Sequence, residues 1–307
     1  MLKKLLKRAA RYTGLEIVRA DPNDFRWSHT VEDYYPITPK ARWQKGNTPH
    51  NQLYRVLERN REEYQIFLDV LQNNASLIHG VAYDRENDDS DLPYWNNQWF
   101  SALDAAALVN FIAWKRPAHY LEIGSGHSTR FAKYTINALK LVTKMTSIDP
   151  VPRQDIDRIC DRIIRSPLES CDLGIFDELA AGDILFFDGS HRAFSNSDVA
   201  VFFFEVMPRL KPGVIVHLHD IFIPDDYPAA WNHRLYNEQY ILAAMLMCGK
   251  PPFRVIAPIA FIGQDDALSV RAKRAFVSPT GGRDAPFLYL NESRSPGVSF
   301  WLEVEKP

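Results

Sequence analysis

Apolar and polar positions alternate in two different ways along this chain, and the change of rhythm divides it. Over NQLYRVLERNREEYQIFLDVLQ, residues 51–72, Leu53, Val56, Leu57, Tyr64, Phe67, Leu68 and Leu71 fall on one stripe, which predicts a helix from Asn51 to about Asn74. A second helix is predicted from about Asn97 to Lys115, stopped by Pro117. After it come seven short apolar runs: HYLEIG, MTSID, RIIRS, DILFFD, GVIVHLHD, FRVIAPIAFI and VSFWLEVE. Helical stretches separate them at HSTRFAKYTINAL, residues 172–180, SNSDVAVFFFEVMPRL and NEQYILAAMLMCG. Strands alternating with helices predict an α/β fold, and runs apolar along their whole length suit a parallel sheet covered on both faces.

The remaining segments lack such periods. Residues 14–50 carry scattered Pro, Asp and aromatic residues and read as an irregular arm, with YYPITP at 34–39 a candidate lid. ENDDSDLP, residues 86–93, breaks the order; its acids lack the spacing of a calcium loop and read as a solvated linker. The expected division is an N-terminal extension at 1–93 and a main domain at 94–307, whose last strand follows a loop holding Pro279, Gly281, Gly282, Pro286 and Pro296.

Bulk composition narrows the class of partner. The net charge of the 307 residues is −2, which gives no electrostatic footprint for nucleic acid. Cys160, Cys171 and Cys248 show no CxxC spacing and read as reduced thiols of a cytoplasmic protein. The start, MLKKLLKRAARY, is basic and amphipathic, without the centre or cleavage site of a signal peptide. It is expected to form a terminal helix docked on the body, with peripheral membrane contact as the alternative. Oligomeric state is not legible.

Chemistry concentrates at the ends of the predicted strands. In YLEIGSGHSTRFA, Gly124, Ser125 and Gly126 form a tight turn between strand and helix, and Ser128 or Thr129 can cap that helix. Glu122 stands at the strand tip, and Asp149 ends the next strand, where a carboxylate suits the two hydroxyls of a ribose. A nicotinamide dinucleotide fingerprint needs a third glycine where Thr129 stands, and a carboxylate at 122 fits a positively charged cofactor better than a pyrophosphate.

EIGSGHS, the SIDP tip, FFDGSH and LKPGVIVHLHDIF resemble the class I S-adenosylmethionine-dependent methyltransferases, in particular a bacterial branch associated with small-molecule and glycan O-methylation. The resemblance runs from the helix before Tyr120 to the final strand. It implies a Rossmann-like doubly wound sheet of seven strands with the last one antiparallel. It also implies S-adenosyl-L-methionine held by Glu122, Gly124, Ser125, Gly126, Asp149 and Asp188.

Asp188, His191, His219 and Asp220 end two runs that should be neighbouring strands. Transfer of a methyl group to oxygen needs a deprotonated hydroxyl, and His191 is the expected base with His219 second. In metal-dependent relatives of this fold an Asp at the fourth strand and an acidic pair at the fifth hold the ion. Here these positions read Asp188 and His219-Asp220, so a divalent ion such as Mg2+ on Asp188 and Asp220 stays an open expectation. His217, one pleat deeper than His219, reads as a buried structural histidine, and Asp198 as a partner for a helix dipole. Two other readings remain: a two-histidine, one-carboxylate iron site for oxygen chemistry, and a methyltransferase fold without catalysis. The expected acceptor is a small molecule or glycan.

Overall fold

The computed structural model describes residues 39–43, 49–87, 90–278, 284–287 and 295–305. The basic N-terminal segment and most of YYPITP lie outside these residues. Pro39–Pro307 form one compact unit.

All seven predicted strands form: β1 (His119–Ile123), β2 (Lys144–Ile148), β3 (Arg162–Ile164), β4 (Ile184–Phe187), β5 (Ile215–Leu218), β6 (Phe253–Pro258) and β7 (Phe300–Val304). They make one sheet in the order β3-β2-β1-β4-β5-β7-β6. β3, β2, β1, β4 and β5 run parallel, while β7 lies antiparallel between β5 and β6. This is the doubly wound, Rossmann-like sheet expected of the sequence. Its core strands are buried because helices cover both faces, and Tyr120, Ile184, Phe186, Val216 and Trp301 are wholly enclosed.

Three elements differ from the pattern-based expectation. The first long helix is two, Asn51–Glu58 and Arg61–Asn73, followed by a short third at Ala75–His79. Arg59-Asn60 breaks the ladder, and Tyr64 reaches back across the break to donate its hydroxyl to the Leu57 carbonyl at 2.9 Å. The second helix starts at Ala102 rather than Asn97, because the Asn97 side chain accepts from the backbone of Trp99 and Phe100 and holds a turn there. The run FRVIAPIAFI is strand only to Pro258; Ile259–Gln264 turn into a helix that packs on the sheet. Residues Leu173–Glu178 wind as a tight 3-10 helix, and SNSDVAVFFFEVMPRL is an α turn at Asp198–Val201 that widens into a π turn at Phe202–Val206.

The register of the parallel strands positions the site. Ile123 pairs with Ile148 on one side and Phe187 on the other, and Phe187 pairs with Leu218. The ladder continues one step past the strand ends: Gly124 N–H donates to the Ile148 carbonyl, Asp188 N–H to Ile123, and His219 N–H to Phe187. Asp149, Gly124, Asp188 and His219 therefore stand in one row along the carboxyl end of the sheet. That is where a doubly wound sheet presents its crevice. Among the described residues no helix is long and apolar enough to cross a membrane.

Candidate active site

The half of this row around β1 and β2 is a glycine turn braced by hydroxyls. Gly124 has φ +80, and a Cβ there would lie 1.9 Å from the Asp188 carbonyl oxygen, so the tip of β1 can meet the tip of β4 only with glycine. Gly126 opens the helix His127–Ala138, and a Cβ on it would meet only Gln154 Cγ at 4.0 Å, which leaves open room in front of the turn. The Ser125 N–H donates to Asp149 Oδ2 at 2.7 Å, and the Val151 N–H donates to its Oδ1 at 2.9 Å. Ser125 also shares a 2.6 Å hydrogen bond with Ser147.

Glu122 is buried beneath the turn. Its two oxygens accept from the hydroxyls of Ser128 and, at 2.6 Å, Thr129, while Thr129 Oγ1 accepts from the Gly126 N–H. The expected caps thus serve the buried acid as well as the helix. Burial pushes the Glu122 carboxyl up to about 8, against the two hydroxyls, which favour the ionised form. Its direct structural effect is to lock the turn. Ser125, half-buried Asp149 and the open face of Gly126 have the chemistry an adenosyl cofactor needs: a backbone without Cβ for close approach, and a carboxylate beside the turn that could accept from hydroxyls.

The half around β4 and β5 is a knot of imidazoles and carboxylates. His191 is buried, with Nε2 3.2 Å from Asp188 Oδ1 and 3.5 Å from Asp220 Oδ2. Its Nδ1 meets Glu238 Oε1 at 2.5 Å. His219 Nδ1 lies 3.4 Å from Asp220 Oδ1 and 3.7 Å from Asp188 Oδ1, and its Nε2 is 3.4 Å from Asp104 Oδ2. Asp188 is the member that reaches solvent, with its side chain 36% exposed.

Charge in this knot is set by competition. Burial lowers the basicity of His191, but Glu238, Asp188 and Asp220 overcome it and hold the imidazole charged well above its ordinary range. For His219 burial is likewise outweighed, by Asp188, Asp220 and Asp104, and its titration is pushed up to about 9. Asp188 is penalised by burial, yet its two histidine neighbours keep it ionised far below the usual carboxylate range. The surrounding carboxylates thus bias both imidazoles toward the charged form.

The metal expectation meets the same geometry. His191 Nε2 lies between Asp188 and Asp220, and each ring nitrogen of His191 and His219 has a carboxylate oxygen within 3.7 Å. Among the described residues no group of three or more His, Cys, Asp or Glu side chains is arranged to hold a metal ion. As packed here, the donors pair with each other, and no step below passes through a metal.

Other residues fall into supporting places. His217 is wholly buried, stacked on Phe186 at 3.7 Å, with Nε2 2.8 Å from the Ser299 hydroxyl. Asp198 reaches back to accept from the Ser190 N–H and hydroxyl, both at 2.6 Å, and so fixes the turn before His191. Two acids were not assigned roles from sequence. Asp104, with no exposure, accepts from Ser101, Val298 and Ser299 and ties the helix Ala102–Lys115 to the start of β7 beneath His219. Its signal was a lone acid inside ALDAAALVNF. Glu238 lies in the polar and aromatic segment IPDDYPAAWNHRLYNEQY after β5, which reads equally as substrate contacts or as a surface loop and assigns it no role.

Residues 121–221 match a protein family described as a methyltransferase domain. That stretch spans β1 through β5 and contains both halves of the site. Over residues 121–221 the chain is thus similar to a methyltransferase domain. Among curated proteins none matches the chain. Solved structures similar to it include an O-methyltransferase from Bacillus cereus in complex with SAH, 14% identical, covering 78% of this chain and 90% of that one with a TM-score of 0.38. Another is an SAH-bound methyltransferase from Podospora anserina, 17% identical, covering 61% and 82% with a TM-score of 0.38. At such scores the functional argument rests on this chain's own residues.

Proposed function

We propose that the protein transfers a methyl group from S-adenosylmethionine to a hydroxyl oxygen of a small-molecule acceptor, of which a sugar or glycan is the favoured class. One observation carries this reading: the glycine turn with its carboxylate at 149 stands in register, one strand away, with the histidine-carboxylate knot at 188, 191, 219 and 220. Ser125, Gly126 and Asp149 would hold the cofactor, with Glu122 and Gly124 shaping the turn and Asp188 on the cofactor's far side. When bound, S-adenosylmethionine supplies an electrophilic methyl carbon.

The chain's own part is to orient and deprotonate the acceptor. Asp188, ionised and partly exposed, accepts a hydrogen bond from an incoming hydroxyl. His191, once it has released its resting proton, takes the hydroxyl proton at Nε2. His219 stays charged behind Asp188 and Asp220 and balances them. Burial of the imidazoles keeps bulk water from competing for that proton.

Ligand binding tests the reading without knowledge of the acceptor. S-adenosylmethionine and S-adenosylhomocysteine should raise the melting temperature, by about 2.7 kcal/mol of added stability at a hundredfold excess over Kd, and NAD should not. Absence of any shift with both adenosyl ligands at saturation would overturn it. The same series with magnesium or EDTA decides the metal: a shift that EDTA abolishes and magnesium restores would establish a divalent ion on Asp188 and Asp220 after all.

A further inference from the structure

The turn at residues 97–101 carries two aromatic rings in different settings. The Asn97 side chain fixes the backbone of both: the Trp99 N–H donates to its Oδ1 at 3.0 Å and the Phe100 N–H at 2.7 Å. Phe100 is buried, with its ring centre 5.5 Å from that of His219 in the knot. Trp99 is 60% exposed, although tryptophan is highly buried on average. The Arg153 guanidinium lies over its ring, Cζ 4.9 Å from the centroid. Arg153 follows Asp149 by four residues, and its neighbour Gln154 has Cγ 4.0 Å from where a Gly126 Cβ would stand. Trp99 thus touches the loop of the cofactor half, while Phe100 beside it touches the acceptor half. The path from a cofactor's sulfur to an acceptor oxygen runs between those two contacts.

We propose that Trp99 is a specificity residue that recognises the positive charge of S-adenosylmethionine, accepting the sulfonium on its ring in place of the Arg153 guanidinium and so favouring the cofactor over its demethylated product. An indole attracts cations through the negative face of its π-system, and this ring already holds one. Arg153 is exposed, so its hold on the ring is weak and its long side chain can swing away. The proposal rests on the reading of the glycine turn as an S-adenosylmethionine site and deepens it.

Methyl transfer removes the charge that the ring would recognise. The bond from sulfur to the methyl carbon breaks with its electron pair left on sulfur. The new bond to that carbon forms from an electron pair of the acceptor oxygen, and the hydroxyl proton passes to the protein. Sulfur is then neutral, its attraction to the indole is gone, and Arg153 can return to the ring. The same side chain that helps hold the cofactor thereby lets the product go.

Calorimetric titration of the full chain with S-adenosylmethionine and S-adenosylhomocysteine tests this without an acceptor. Trp99→Leu should weaken S-adenosylmethionine about fivefold or more and S-adenosylhomocysteine by less than about twofold, with Trp99→Phe in between. Arg153→Gln removes the resident cation and should tighten S-adenosylmethionine about twofold or more, leaving S-adenosylhomocysteine unchanged. Equal losses for the two ligands in Trp99→Leu would make the ring a mere cover or tether and overturn the proposal, as would no loss for either. Weaker S-adenosylmethionine binding in Arg153→Gln would overturn it as well. A wild type that binds neither ligand would overturn the cofactor reading together with this one, whereas the outcomes above overturn this one alone. Should Trp99→Leu not fold, 19F spectra of the wild type labelled with 5-fluorotryptophan decide. The Trp99 resonance, identified by its absence in Trp99→Phe, should move with S-adenosylmethionine and much less with S-adenosylhomocysteine; the same shift with both would overturn the proposal.

Discussion

The two halves of the crevice are built by different means. Around the glycine turn every brace is local: Glu122 to Ser128 and Thr129, Gly126 to Thr129, Ser125 to Ser147 and Asp149. In the knot, the partners come from across the chain. His191 meets Glu238, and beneath His219 lies Asp104, itself held by the backbone of Val298 and Ser299. The first half braces its buried acid with hydroxyls, and the second with opposite charge. A turn that binds a common cofactor can be specified within thirty residues of strand, loop and strand. The knot, proposed to hold an acceptor and move a proton, draws on elements that the fold brings beside it from distant parts of the chain.

The deepest cut at this contrast is Gly124→Val, because residue 124 is where the halves touch. Its Cβ would collide with the Asp188 carbonyl and its φ would be forced, so both halves should fail together. The expected loss is about 4 kcal/mol or more in urea unfolding, together with loss of adenosyl-ligand binding. A variant as stable as the wild type would show that the two tips are not in contact.

Next is His191→Ala, which should separate the halves. S-adenosylhomocysteine affinity, read by calorimetry, should be unchanged, while methyl transfer to an active acceptor falls by about 10²–10⁴-fold. Loss of cofactor affinity instead would place His191 in the first half of the site.

The smallest effect is on stability against pH, where the halves titrate in different windows. Glu122 is raised from 4.5 to about 8, and His219 from 6.5 to about 9. In each case the folded state holds a proton that the unfolded chain has released, so stability falls as pH rises between the two values. The melting temperature should therefore decline across both windows. Glu122→Gln should flatten the decline between pH 4.5 and 6.5, where it acts alone, and leave that between 8 and 9; His219→Gln should do the reverse, and both contribute between 6.5 and 8. Identical profiles for the two variants would dissolve the distinction between hydroxyl-braced and charge-braced halves.

How much of this was legible beforehand follows the same division. The seven strands were readable because each is a short apolar run bounded by polar or turn residues, and the glycine turn because its contacts are sequence-local. Helix limits were less so. The Asn97 turn and the break at Arg59-Asn60 depend on which side chain captures which backbone group, and several choices are chemically equal. Asp188, His191, His219 and Asp220 could be expected to gather from topology alone. Their protonation could not, since it depends on Glu238 and Asp104 approaching to a few ångströms.

The sequence by itself determined the layer order and the row of Gly124, Asp149, Asp188 and His219 at the carboxyl end of the sheet, because hydrophobic period and strand-helix alternation leave few ways to fold. Only the tertiary structure decided what charge that row carries. Desolvation and Coulomb interaction change steeply with distance in a buried site, and the residues that set those distances, 104 and 238, lie on helices outside the motifs.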